Sequence, residues 1–467
     1  MTGVMSIRHL ACVFLSLSLI AASPAFAQTS ANSSSVVLGS VPSGPATGET
    51  IHLTLRDAIN MALHYNLGQI ESGEDVRAAR GQRLQALSLL LPQVDAGVTE
   101  NVEQATTAPL GIKSPLIPSV VGPFSYSTAQ ASASQTLFSF TSIQRFRAAR
   151  TAEQAALLSY NDILDVVTLT VGNAYLQVIE AASRVQAAEA QVRSAQAVYD
   201  QAVEDLQAGT SPKIDVTRSA VQLHNEQYNF SIAKNNFAIA KLNLGRAIGL
   251  PLGQSFELAD SLPYADLEPS TVDEALKSAY KSRNDFRAAL ATVHSAEQQL
   301  SAIRGERYPV VAVAGDYGVQ GPAFGHSHGI FGFQAGVSVP IFTGERIKGE
   351  VTSAEATLRQ RKAEAENIRG QIDYDVRTAF LNLQAAKEQV TVARQNVDLA
   401  NENLDRSKER FAAGVTDSVE VVQAQQSLSS ANDQYIVSLY SHNLAKLALA
   451  RALGVARTSY SQYLATH

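Results

Sequence analysis

The chain consists of two halves that repeat one pattern. Asp205–Val216 reads DLQAGTSPKIDV and Arg410–Val421 reads RFAAGVTDSVEV, and the two glycines stand 205 residues apart. The same offset aligns Tyr-Leu-Gln-Val at 175–178 with Phe-Leu-Asn-Leu at 380–383. Self-similarity at one fixed offset identifies an internal duplication, so each half is expected to fold into the same supersecondary unit.

Toward the start of each half the offset changes to 217 residues. Leu-Pro-Gln-Val at 91–94 then aligns with Tyr-Pro-Val-Val at 308–311. The first half is therefore the longer one, and its extra residues fall in a Pro/Gly-rich loop at 108–123. We define a first structural repeat at 51–250, an inter-repeat connection at 251–270, a second structural repeat at 271–455 and a C-terminal tail at 456–467.

The N-terminus has the features of a secretory signal peptide over residues 1–27. Arg8 precedes an apolar stretch, which is followed by the small-residue sequence Ala-Phe-Ala. The one cysteine, Cys12, lies at the front of that stretch, so we expect neither a lipid anchor nor a disulfide in the mature chain. Residues 28–50 are rich in Ser, Gly and Pro and are predicted to form a flexible leader.

Composition narrows the class of protein. The net charge is −6 with no basic block suited to a phosphate backbone, so we expect no nucleic-acid partner. The absence of Trp and the long Ala/Gln/Glu-rich stretches favour long helices over compact globules. After the signal peptide no apolar run is long enough to predict a transmembrane helix.

Each half contains one very long segment without proline. We predict helices over about 144–207 and 346–412, each about 95–100 Å long at ~1.5 Å per residue. Small or apolar residues recur in both with alternating steps of three and four, a heptad pattern typical of closely packed helices. The matched positions are Val185, Ala188, Val192, Ala195, Tyr199, Ala202 and Leu206, and Val390, Ala393, Val397, Ala400, Leu404, Ser407 and Phe411.

A glycine turn follows each long helix. Return helices are predicted over about 213–248 and 417–453, so each glycine segment is interpreted as the tip of a helical hairpin. Shorter helices are predicted near 70–90 and 286–307. Each would stack end to end with a return helix, so that the two together run alongside a long helix.

Between the short and the long helices the pattern changes to alternation. Strands are predicted at about 310–320 and 330–340, with a weaker pattern at about 94–104 and 124–137. The clearest apolar face is predicted to be lipid-facing and comprises Phe331, Phe333, Val337 and Val339.

Strands of about ten alternating residues suit a membrane β-barrel. Four strands cannot close a barrel, and an open edge in lipid leaves backbone groups without partners, so several copies of the chain would have to share one barrel. The alternative is a small exposed sheet on a soluble helical spacer.

The order of these elements resembles the TolC-like outer membrane efflux protein family, over about Leu53 to Val455. The resemblance rests on the duplicated strand-hairpin and helix-hairpin order, on the tip segments ending in Ile-Asp-Val at 214–216 and Val-Glu-Val at 419–421, and on the Ala-Leu-Gly at 452–454. It implies a mainly α fold in which a trimeric 12-stranded membrane β-barrel joins a 12-helix periplasmic tunnel. The inter-repeat connection and both chain ends would form an equatorial girdle.

The resemblance implies an outer-membrane channel-tunnel of a diderm bacterium that conducts substrates passively in a tripartite efflux or type I secretion system. Expected partners are two further copies, outer-membrane lipid, a periplasmic adaptor and, through it, an inner-membrane transporter. No catalytic residue, cofactor or metal site is expected, and His326 and His328 are interpreted as part of a solvated loop. The alternatives are a periplasmic adaptor or coiled-coil envelope spacer, and an envelope enzyme.

The resemblance also implies a periplasmic constriction at the tips. Glu420 matches a carboxylate ring of the family, Asp215 is its counterpart in the first repeat, and Gln423 stands where a second acid is expected. Thr416 replaces an arginine that holds some members shut. Three carboxylates around an axis would attract cations, although Asp417 and Glu420 also fit a capping box.

The two tips are expected to contact the adaptor. The residues expected there are Leu206, Ala208, Gly209, Thr210, Phe411, Ala413, Gly414 and Val415. The alternative for each is a helix C-cap with nothing docked.

Overall fold

The fold is given by a computed structural model, which describes residues 39–106, 120–260, 264–267, 271–322, 324–416 and 418–464. The predicted signal peptide and Asp417 lie outside the described residues. Within those ranges the chain forms long helices, one four-stranded sheet and one two-stranded sheet.

The first repeat begins with a short strand and two short helices. Its elements are β1 (Ile51–Leu53), α1 (Leu55–Tyr65), α2 (Leu67–Ser88), β2 (Gln93–Thr106), β3 (Val120–Phe138), α3 (Phe140–Gln207) and α4 (Lys213–Ile248). The bounds of α4 coincide with the predicted 213–248, whereas α3 begins four residues before the predicted start.

The second repeat has the same order. Its elements are β4 (Phe256–Leu258), α5 (Val272–Ser282), α6 (Asn284–Arg304), β5 (Val310–Gly321), β6 (His328–Ser338), α7 (Arg346–Ala412) and α8 (Ser418–Ala452), followed by α9 (Ala456–Leu464). The bounds of α7 coincide with the predicted 346–412.

Capping residues explain where the short helices start. Thr54 precedes α1, and its hydroxyl accepts the Asp57 N–H at 3.1 Å while the Asp57 carboxylate accepts the Thr54 N–H at 3.3 Å. Thr271 and Glu274 form the same capping box before α5. These pairs satisfy amide groups that a helix start leaves without partners.

α3 is the central helix of the protomer. Its first half packs against α2 and α6, as shown by the Arg83–Glu153 ion pair (2.7 Å) and the hydrogen bond from Ser295 to the Ala148 carbonyl (2.9 Å). Its second half packs against α4 and α8. The short helices therefore continue the line of the return helices, and α4 and α7 form the outer edges of the protomer near the tips.

One described helix, α3, is long and apolar enough to cross a membrane, judged by its length and composition alone. α3 contains an 18-residue window of sufficient hydropathy, the one such window among the described helices. Of that window 56% is buried, which is typical of the central helix of a packed bundle.

The two repeats are joined at mid-height by a parallel strand pair. β1 pairs with β4, with Ile51 opposite Phe256, and the buried Tyr175 hydroxyl lies 2.9 Å from Asp260 Oδ2 beside them. Part of the predicted flexible leader also lies here: Ser43 donates its N–H to the Gly249 carbonyl, and Thr47 donates to Gln254. Val41 also donates its N–H to the Tyr65 carbonyl at 2.9 Å, so this stretch has hydrogen-bond partners both at the end of α1 and on the turn after α4.

The predicted C-terminal tail contains a helix. Leu464 at the end of α9 is fully buried in the mid-height core, and the Arg457 N–H donates to the Asp165 carboxylate at 3.2 Å. The end of the chain thus packs on α3.

A buried basic pair lies beneath the inter-repeat connection. His442 and Lys446, one turn apart on α8, are 1% and 0% exposed. Lys446 Nζ donates to the Ala265 carbonyl at 3.1 Å, and the Tyr264 ring lies 5.1 Å from the His442 ring. Neither ring nitrogen of His442 has a hydrogen-bond partner among the described residues. Burial, and then the charge of Lys446, lower the pKa of His442 to about 4, and burial lowers the pKa of Lys446 to about 8.

We expect the protein to lose stability as the pH falls from about 6.5 to about 4. The unfolded chain binds a proton at His442 near the ordinary pKa of 6.5, while the folded chain resists it down to about 4, so acid favours unfolding by up to about 3 kcal/mol. Denaturant unfolding across this pH range measures the free energy of unfolding. For His442→Gln this free energy should fall less steeply with decreasing pH than it does for the parent. His326→Gln, in the exposed loop before β6, is the control. An equal dependence of stability on pH for the parent and His442→Gln would contradict the assignment.

Candidate functional site

The two helical tips have the same backbone geometry. Gly209 and Gly414 both adopt φ 69°, in the left-handed region. Thr210 N–H donates to the Asp205 carbonyl at 2.9 Å, and Val415 N–H donates to the Arg410 carbonyl at 3.0 Å. Each turn is a Schellman motif, in which a glycine ends one helix and directs the chain into the next.

Most of the residues predicted to contact an adaptor are exposed. They are Leu206, Ala208, Gly209, Thr210, Ala413, Gly414 and Val415. Phe411 differs because it is partly buried against a cluster inside the tip. That cluster comprises Val198, Leu404, Val421, Ala424 and Leu428. Phe411 therefore also holds α3, α7 and α8 together.

Glu420 is engaged within its own hairpin. Its carboxylate lies 3.2 Å from Arg410 Nε and accepts hydrogen bonds from Thr416 Oγ1 (2.5 Å) and Ser407 Oγ (3.5 Å). The side chain is 38% exposed. The expected capping partner, Asp417, lies outside the described residues.

Asp215 links the two hairpins. It is 5% exposed, and its carboxylate accepts a hydrogen bond from the buried Ser418 Oγ at 2.6 Å, with Arg218 at 3.6 Å on its own helix. Asp215 thus has different partners from its repeat counterpart Glu420. Gln423, one turn beyond Glu420, is exposed.

The four long strands form one antiparallel sheet in the order β2-β3-β5-β6. Residues directly opposite each other share a face of a sheet, so the strand register shows which side chains lie on each face. One row across all four strands is Ala96, Ala131, Tyr317 and Phe331. The next row, on the opposite face, is Asp95, Ser132, Asp316 and Gly332.

The apolar face carries large exposed residues on β2, β5 and β6. Phe331 and Phe333 are 84% and 76% exposed. Other large exposed residues on this face are Val94, Val98, Val102, Tyr317 and Val337. Val339 is also exposed but follows the end of β6. Such an apolar surface in contact with water would be unfavourable.

Both outer strands of this sheet have one edge without a strand partner in the described chain. β2 pairs with β3 alone, and β6 pairs with β5 alone. Each edge is more than ten residues long. The sheet is therefore incomplete as a membrane wall, because backbone groups in lipid require partners.

Two tip residues were missed by the sequence analysis. Arg410 was within a quoted segment but was given no role, and Ser418 was treated as part of the return helix. The sequence feature that could have identified them is the difference in charge between the tips. The duplication places Arg410 opposite Asp205 and Ser418 opposite Lys213. Among the described residues no group of His, Cys, Asp and Glu side chains is placed to hold a metal ion.

The family model for outer membrane efflux proteins matches residues 71–250 and 275–455, which are the two repeats. The chain belongs to the outer membrane efflux protein family. Membership places the protein in the outer membrane with a large periplasmic portion. The comparison thus confirms the resemblance inferred from the repeated order of hairpins.

Individual relatives are distant. The chain is 22% identical over 288 residues to the pyoverdine export outer membrane protein OpmQ of Pseudomonas putida, a match that covers 61% of each chain. It is 23% identical over 425 residues to the toluene efflux pump outer membrane protein TtgF of Pseudomonas putida, covering 86% of this chain and 83% of TtgF. The crystal structure of VceC from Vibrio cholerae superposes with a TM-score of 0.73 at 18% identity, covering 86% of this chain and 96% of VceC.

Replacing either tip glycine by alanine should destabilise the protein by about 1 kcal/mol, because an L-residue resists the left-handed conformation. An added Cβ at Gly209 or Gly414 would meet no atom within 4 Å, so the cost is conformational. The control is Gly81→Ala inside α2, where an added Cβ also meets nothing and where alanine should stabilise by up to about 1 kcal/mol. The denaturant midpoint of unfolding in detergent measures the stability of each variant. Equal midpoints for the tip variants and the control would contradict the prediction.

A charge on the apolar face should impair membrane assembly. Phe333→Arg places a cation near the middle of β6 against lipid, at a cost of about 2–4 kcal/mol per copy at the bilayer midplane. Gln334→Arg is the matched control, because the neighbouring residue lies on the opposite face. The amount of assembled protein in outer-membrane fractions tests this, and equal loss in both variants would disprove the assignment of the faces.

Proposed function

We propose that three copies of this chain form one outer-membrane channel-tunnel that conducts substrates passively out of the periplasm. The proposal is supported by the open four-stranded sheet with one apolar face, which leads directly into hairpins about 100 Å long at ~1.5 Å per residue. In a trimer the sheets would form a 12-stranded barrel. The helices would form a tunnel of twelve helices in each cross-section.

Barrel closure would place β2 of one copy beside β6 of the next. The apolar face would then contact lipid, and the polar and glycine-rich face would line the water path. Asp316 lies across Gly332 on that face, 2.5 Å from where a Cβ would be, so the glycine leaves room for a carboxylate there. Such head-to-tail pairing closes into a ring when the rotation fits.

The outer helices carry apolar residues that the single protomer leaves exposed. On α4 they include Ile214, Val221, Tyr228 and Leu242, and on α7 they include Tyr374, Leu381, Val392 and Leu399. The α4 positions are spaced by multiples of seven residues, as in a heptad seam. We infer that α4 of one copy packs along α7 of the next.

The tips would meet a periplasmic adaptor through the exposed residues around Gly209 and Gly414. Glu420, Gln423, Asp215 and Asp417 are proposed to lie near the periplasmic constriction. The adaptor would connect the tunnel to an inner-membrane transporter, which supplies the energy. The names of TtgF, from an efflux pump, and of OpmQ, for pyoverdine export, support a role in export without identifying the substrate here.

A periplasmic adaptor is the competing function and is not favoured. The family match covers both repeats, and large apolar residues share one face of the sheet on β2, β5 and β6.

The purified protein in detergent should have three times the protomer mass and should conduct ions in planar bilayers. Light scattering and single-channel recording measure these two properties. A monodisperse monomer that conducts no ions would contradict the proposal.

The interface is tested by Tyr228→Lys. A lysine in the seam buries a charge without a partner and should shift the protein toward monomers. Gln227→Lys, at an exposed polar position about 100° around the same helix from Tyr228, should remain trimeric. Equal behaviour of the two variants would place the interface elsewhere.

A further inference from the structure

Arg410 and Glu420 form an ion pair across the second tip. Arg410 Nε lies 3.2 Å from Glu420 Oε1, while Thr416 and Ser407 donate hydrogen bonds to the same carboxylate. Three side chains therefore converge on Glu420 from α7 and from the turn. The carboxylate is held in place, and its charge is balanced within its own hairpin.

The two charges are also favoured by the helix ends at which the residues lie. Arg410 lies in the last turn of α7, where the carbonyl end of a helix favours a cation, and Glu420 lies in the first turn of α8, where the amide end favours an anion. Local fields thus favour both charges, and the ion pair completes the arrangement.

The first tip shows that the turn itself does not require this pair. The duplication places Asp205 opposite Arg410 and Asp215 opposite Glu420, so the first tip has two acids at these positions. Asp205 accepts a hydrogen bond from Gln201 at 3.0 Å, and Asp215 accepts one from Ser418. Both turns nevertheless have φ 69° at the glycine and the same backbone hydrogen bonds. The arginine therefore contributes charge and not backbone geometry.

We propose that Arg410 is a built-in counter-ion for Glu420 that sets the ion selectivity of the periplasmic constriction. In a trimer, three arginines would balance three glutamates, and the second tips would form a nearly neutral ring. The inference rests on the proposed channel function, because it requires Glu420 to face the water path.

The proposal differs from a simple carboxylate ring in a measurable way. If the glutamates act alone, removing them moves the channel from cation preference toward neutrality. If Arg410 balances them, removing the glutamates leaves three uncompensated cations, and the channel should come to prefer anions. Removing the arginines should have the opposite effect.

The experiment compares reversal potentials of single channels in a KCl gradient for four proteins. Relative to the parent, Arg410→Gln should raise the K⁺/Cl⁻ permeability ratio and Glu420→Gln should lower it below one. The double variant should return close to the parent. Three unit charges at about 10 Å through water correspond to a change of roughly twofold to eightfold in the permeation of K⁺ and of Cl⁻, in opposite directions for the two ions and smaller at high salt.

Two controls separate this effect from others. Arg377→Gln removes an exposed arginine on α7 about 50 Å from Arg410, which pairs with Asp373 on the same helix, and should leave the ratio unchanged. Arg410→Lys keeps the charge and should keep the selectivity of the parent. If Arg410→Gln fails to form trimers, the sign of the Glu420→Gln shift still decides between the two models.

The proposal is overturned if Glu420→Gln only approaches neutrality, if Arg410→Gln leaves the ratio unchanged, or if Arg377→Gln shifts it equally. These outcomes leave the channel intact. A folded parent protein that conducts no ions would instead refute the channel function, and this inference with it.

Discussion

The structure depends on one constraint, which is that an open sheet cannot remain unpaired in lipid. The four strands of one protomer expose an apolar face and two long edges, and each backbone group without a partner in lipid costs several kcal/mol. We propose that neighbouring copies complete the wall. Because each sheet leads directly into long helices, any ring formed by the sheets carries a ring of helices beneath it.

The duplication explains how a single chain supplies both the strands of the sheet and the long helices that follow them. Each repeat contains a strand hairpin followed by a helical hairpin, and the parallel β1–β4 pair holds the repeats together at mid-height. The tips show that duplicated segments can diverge in charge while the backbone is preserved. Asp215 connects the two hairpins through Ser418, whereas Glu420 pairs with Arg410 inside one hairpin. Similar turns therefore have different electrostatic surroundings.

Local sequence patterns predicted the regular elements well. The predicted 213–248 and 346–412 coincide with α4 and α7, because proline-free heptad stretches and glycine turns act over a few residues. The alternation around Phe331 and Phe333 likewise predicted one exposed apolar face. The partners of Asp215 and Glu420 were not predictable in this way, since they depend on how separate helices meet at the tip.

The sequence by itself determined the duplication, the helical hairpins, the alternating strands and the family, since each is carried by residue periodicity or by spacing along the chain. The tertiary structure alone decided the strand order β2-β3-β5-β6, the docking of residues 39–49 and of α9 at mid-height, and the burial of His442 and Lys446. These features join segments up to several hundred residues apart. Only the packing of whole helices and strands selects such contacts, because no local pattern records which distant surface a side chain will meet.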